Sequence, residues 1–227
     1  MPEPGTNPEL LRSLGRLARG LSALFWGLPA VLIACAETAK AEILQPVGIV
    51  PALLANGLLL FGLWQMGEFQ KQERPWRKAL DRAKLLAIVN LGLCPFFYWQ
   101  NRMPDQFYFA AAIVIFGLSS LLFLFNLNLV IKQLGAMLPD ETLRHETREF
   151  TAFNRWMLAL WLMFVTVAIF AVRFHVRTWF DEGHWLWLER IAVAVLLFLA
   201  LSPLAVTMAL IWKTKEAIFE GVFGARG

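Results

Sequence analysis

Residues 173–190, RFHVRTWFDEGHWLWLER, hold two of the chain's three histidines, three acids and three tryptophans. Zinc takes three or four nitrogen, sulfur or carboxylate ligands. His175, Asp181 and His184, with Glu182 beside them, could supply such a set if the segment folded them together. That would make the chain a metal-dependent enzyme acting through the 173–190 loop. Their spacing fits no ligand pattern of defined geometry, and the tryptophans offer a second explanation. An indole ring with a single polar atom settles where hydrocarbon meets the lipid headgroups. Trp179, Trp185 and Trp187 are read as interfacial anchors, with Trp76 as a further anchor elsewhere in the chain. On this reading the stretch marks a membrane border, and neither a metal nor a cofactor is expected.

Two other motifs carry a hint of chemistry. His145-Glu146-Thr147-Arg148-Glu149 resembles the H-E-x-x-H signature of zinc proteases, in which two histidines share a helical face. Here the last position is Glu149, and the surrounding charges suit a solvated helix surface. Gly117-Leu118-Ser119-Ser120 resembles the nucleophile motif of rhomboid-type intramembrane proteases. Such a serine needs a histidine base within hydrogen-bond reach, and no apolar run has a histidine near its middle. The same scarcity excludes an ordinary bis-histidine haem. No apolar run carries Asp, Glu, Lys or Arg near its centre, whereas ion-coupled pumps rely on such groups. The expectation is a protein that is not an enzyme.

The elements behind these residues follow from composition. The chain is 58% hydrophobic and only 17% charged, and its mean hydropathy is +0.56. Soluble domains carry about a quarter charged residues. The charges here lie between long apolar runs, and about 20 apolar residues cross a bilayer as a helix. Lipid leaves unpaired backbone groups with no partner, so such spans must be helical. The reading is an all-α, polytopic integral membrane bundle of six transmembrane helices. The spans fall at about 17–36, 47–66, 83–100, 107–131, 156–174 and 191–212. Before them, residues 1–20 form a cytoplasmic tail with a short interfacial amphipathic helix. Asn7 is its expected cap and Pro8 its first residue. Residues 213–227 form a cytoplasmic C-terminal tail.

Lys and Arg set the orientation. With alternating sides, 16 of them fall on one side of the predicted bundle and 5 on the other. Both termini are thereby placed in the cytoplasm, and the bias points to a bacterial inner (plasma) membrane. The net charge of +4 belongs to this asymmetry and gives no reason to expect nucleic acid. Cys35 and Cys94 fall inside predicted spans at different depths, so no disulfide is expected. Leu32-Ile33-Ala34-Cys35 resembles a lipoprotein processing signal, but Trp26 and Pro29 interrupt the preceding run, and an uncleaved first helix is expected.

Two features could serve binding. The connection 138–155 reads as a helix capped at Asp140, whose Leu143, Phe150 and Phe153 could rest on the bundle or meet a partner. Within the spans the polarity is mild: Asn56, Asn90, Asn126 and Asn128 could glue helices together or line a path for a small molecule. Function therefore divides. The first reading is a non-catalytic multi-pass membrane subunit or scaffold that associates with other membrane proteins or with itself. The alternative is a small-solute transporter or substrate-binding membrane component without buried ionisable groups. It would require Asn56, Asn90 and Asn126 to converge on one cavity.

Overall fold

The computed structural model describes residues 8–40, 48–69, 73–137, 141–173 and 182–223, which are almost wholly helical, with no strand among them. The elements are α1 (Pro8–Lys40), α2 (Val50–Met66), α3 (Arg74–Leu93), α4 (Phe96–Arg102), α5 (Phe107–Met137), α6 (Glu141–Arg173) and α7 (Glu182–Phe223). Among the described residues, two helical segments are long and apolar enough to cross a membrane. They are Arg12–Thr38 and Phe107–Met137, with mean hydropathies of 1.6 and 2.3. The shorter α2 is also apolar.

Several boundaries differ from the sequence expectation. α1 begins at Pro8 and continues to Lys40, so the expected surface helix and the first span are one element. Asn7, the expected cap, lies outside the described residues. α6 likewise joins the connection to the fifth span, because residues 141–173 contain no glycine or proline to interrupt them. α7 continues to Phe223, making helix of much of the expected tail. The third span, expected to be continuous over 83–100, is instead broken. α3 ends at Leu93, and α4 begins only at Phe96. Pro95 between them lacks an amide and its ring crowds the carbonyl four residues back.

The core is built from leucine stripes. Leu17, Leu21, Leu24 and Leu28 recur at helical spacing along α1 and meet Leu59, Leu63 and Met66 of α2. Leu80, Ala83 and Ala87 of α3 and Phe123, Leu127, Ile131 and Leu134 of α5 complete the cluster, with Leu210 and Ile211 from α7. α1 and α2 form the most extensive pair, and two glycines explain their closeness. A Cβ added at Gly20 would lie 2.7 Å from the Gly62 carbonyl oxygen, and one added at Gly62 would lie 2.9 Å from that of Gly20. Small residues let helix backbones approach to this degree.

The outward faces are apolar as well. Trp26, Leu54, Trp64 and Phe198 are each more than half exposed. α5 turns Val114, Ile115, Leu118 and Leu122 outward while burying Phe116, Phe123 and Leu127. A helix apolar all round is what α2 and α5 supply. The charges gather at helix ends. Arg16 Nη1 lies 3.2 Å from Glu68 Oε2, joining the start of α1 to the turn after α2. The Lys84 ammonium lies beside Gly67 at the same end. Elsewhere the Arg102 guanidinium sits 5.0 Å from the centre of the Tyr98 ring, and that ring is also the neighbour of Gly48.

Candidate ligand-binding cavity

Two of the four expected amides meet. Asn56 of α2 and Asn90 of α3 line one cavity of about 370 Å³, whose walls draw on α1, α2, α3, α4, α5 and α7. The size lies within the ~300–1,000 Å³ typical of small-molecule pockets. Among the described residues, the polar side chains in the wall apart from the two amides are Ser120 and Cys35; the others are apolar, with Leu28, Phe97, Phe116 and Phe123 among them.

The two amides differ in their hydrogen bonding. Asn56 is 2% exposed, and its Nδ2 donates to the Ala52 carbonyl at 2.9 Å. Asn90 is 4% exposed, yet its carbonyl oxygen has no hydrogen-bond partner. A buried acceptor left unpaired costs about 1–3 kcal/mol.

Asn126 and Asn128 do not share this cavity. Residues two apart on a helix face different ways, so a single face of α5 could not have presented both. Asn126 returns its Nδ2 to the Leu122 carbonyl at 2.8 Å. Asn128 enters a separate buried node, donating from Nδ2 to Thr207 Oγ1 at 3.1 Å. Asn154 Nδ2 donates to the same hydroxyl at 3.2 Å, while Thr207 Oγ1 donates to the Pro203 carbonyl at 2.7 Å. The node ties α5, α6 and α7 together. Asn154 escapes a sequence reading because it falls in a stretch counted as a cytoplasmic connection; its position two residues before Trp156 is the one available signal.

Cys35 and Cys94, expected at different depths, pack into one small apolar cluster with Ala52 and Phe116. Both are free thiols. Linear counting within spans missed this, because α1 extends beyond its predicted span and α3 stops early. The Phe97 and Phe116 rings meet edge to face beside them, with centroids 5.1 Å apart. Ser119 of the protease-like motif is buried, and its hydroxyl has no partner; among the described residues no histidine lines the cavity.

The remaining predicted positions are scattered. His175, Asp181 and Trp179 lie outside the described residues, as do the side chains of His184, Trp185 and Leu143. Among the described residues no three His, Cys, Asp or Glu side chains gather closely enough to hold a metal ion. His145 Nε2 and Glu149 Oε1 form an exposed pair at 3.3 Å. Trp187 is 68% exposed. Trp76, by contrast, is corrected from a surface anchor to a core residue. It is 1% exposed and packs against Phe69 with ring centroids 6.5 Å apart. The ring fills space between α3 and its neighbours that smaller side chains would leave empty. Phe150 is half-buried against the bundle, with the Lys213 ammonium 5.8 Å from its ring centre, while Phe153 faces outward.

The cavity can therefore enclose hydrocarbon. No family model, curated protein or solved structure matches this chain.

Proposed function

We propose that this chain is a non-catalytic, six-span membrane protein that binds an apolar small molecule inside its helix bundle. The observation that carries the reading is the cavity between α1 and α5, whose described lining is apolar but for Asn56, Asn90, Ser120 and Cys35. Pockets of this kind, apolar with a few placed polar groups, are the usual form of a binding site. The two long apolar segments and the apolar outward faces support a bilayer as the surrounding medium. The clustering of Arg16, Glu68 and Lys84 at one end agrees with the positive-inside bias and supports cytoplasmic termini. A scaffold role would draw on outward residues such as Phe153 and Trp156, but a bilayer covers those faces without any protein partner.

The test is to fill the cavity without disturbing the fold. Gly117 lines the cavity, and a Cβ there meets nothing within 4 Å, so the side chain of Gly117→Phe starts into open space. Native mass spectrometry of the protein released from mild detergent should show a bound small-molecule adduct in the wild type. Gly117→Phe should lose the adduct while retaining thermal stability. An adduct-free wild type, or one whose adduct survives Gly117→Phe, would sink the proposal.

A further inference from the structure

We propose that the cleft between the start of α1 and the end of α2 holds the head of a zwitterionic phospholipid bearing a primary ammonium. Its phosphate lies on Arg16 and its ammonium on Glu68. This rests on the membrane reading above and is independent of the cavity between α1 and α5.

The cleft has a volume of about 380 Å³ and is lined by Arg16, Phe61, Trp64, Gln65 and Glu68. Its charged groups are within reach of a bound molecule, since the side chains of Arg16 and Glu68 are 47% and 42% exposed. Arg16 Nη1 donates to Glu68 Oε2 at 3.2 Å, which uses one of a guanidinium's five N–H donors. The planar fork of arginine suits phosphate oxygens. A carboxylate has about four lone-pair sites, so several donors can share Glu68.

The pairing of charges selects the head. Among the described residues lining the cleft there is one cation and one anion, side by side. A phosphoethanolamine head carries the complementary pair, joined by an ethylene bridge. A phosphoglycerol head would bring its negative charge against Glu68 with nothing to offset it. A phosphocholine head has the positive charge but no N–H to donate to the carboxylate.

The same face of α2 suits the acyl chain. Leu54, Leu58, Phe61, Trp64 and Glu68 follow one another at steps of three or four residues, which places them along one side of a helix. Leu54, Phe61 and Trp64 are each more than half exposed, and Leu58 is partly exposed. A chain laid along this stripe keeps its hydrocarbon on Leu54 and Phe61 and its head at Glu68. Trp64 stands between the two, as an indole does where hydrocarbon meets headgroups.

The test adds three synthetic phospholipids with identical acyl chains and ethanolamine, choline or glycerol heads to the full chain in mild detergent. They are supplied at equal mole fractions, and native mass spectrometry reads which is retained, each head having its own mass. The ethanolamine lipid should be retained roughly fivefold over either of the others, the upper range for one half-exposed ion pair. Glu68→Gln should bring its ratio to the glycerol lipid near one, and Arg16→Gln should lower retention of all three. Equal retention of the three by the wild type, a preference for another head, or an ethanolamine preference unchanged in Glu68→Gln overturns the inference and leaves the membrane reading standing. A chain that stays monodisperse once detergent is removed overturns both, and the wild-type comparison needs no variant to fold.

Discussion

Gly62→Ala should destabilise the bundle by forcing α1 and α2 apart. The added methyl carbon would lie 2.9 Å from the Gly20 carbonyl oxygen and 3.0 Å from Leu24 Cγ. Carbon–oxygen contacts of this kind settle at about 3.3 Å or beyond, so the backbones must separate by roughly 0.4 Å, because the Gly20 carbonyl oxygen is fixed to the α1 backbone. The shift is transmitted to the leucine stripes on either side, since tightly packed interiors do not absorb such displacements locally. Overpacking of this sort costs about 1–3 kcal/mol. Gly57→Ala is the matched control, on the same helix, where a Cβ meets nothing within 4 Å. It should be neutral or stabilising by up to ~1 kcal/mol through helix propensity. The assay is reversible unfolding in mixed detergent micelles followed by circular dichroism. Gly20→Ala should behave like Gly62→Ala, and the double variant should cost less than the sum, because one separation relieves both contacts. If Gly62→Ala proves as stable as Gly57→Ala, the close approach of α1 and α2 is wrong.

The polar node gives a second prediction. Thr207→Val removes the hydroxyl that receives both Asn128 and Asn154, leaving two buried amides short of a partner, and should cost about 1–3 kcal/mol; Thr207→Ser should restore most of it, as micellar unfolding midpoints would show. A third concerns the break at Pro95. In a Cys35→Ala, Cys94→Ala background, Arg77→Cys and Asn101→Cys should react with a membrane-impermeant maleimide from opposite faces of sealed vesicles. Labelling of both from one face would refute a third crossing and with it the six-span arrangement.

The helical nature of this protein and the positions of its apolar runs are written in the sequence. Helix formation there depends on local hydrophobicity and on backbone groups that must be paired internally, and both are properties of short windows. The break near Pro95, which the expected continuous span 83–100 overlooked, has an equally local cause, since proline acts on its own turn. The sequence was weaker where continuity was at stake. It separated the surface segments from the spans in α1, α6 and α7 because charge changes along them, although nothing in the backbone stops the helix. Composition also singled out Asn56 and Asn90, but with Asn126 and Asn128 as their equals.

Only tertiary packing sorted those four. The rotation of α5 sends Asn128 to Thr207 and Asn154, while Asn126 is turned back on its own helix. The meeting of α2 and α3 around α1 and α5 brings Asn56 and Asn90 to one cavity. The same holds for Trp76, whose indole could have served at a membrane border but is enclosed beside Phe69. It holds too for Gly20 and Gly62, which nothing in their local sequence pairs. Side-chain type and spacing fix what a helix can offer on each face. Which face meets which depends on the relative rotation and depth of several helices at once, and that is a property of the packed bundle alone.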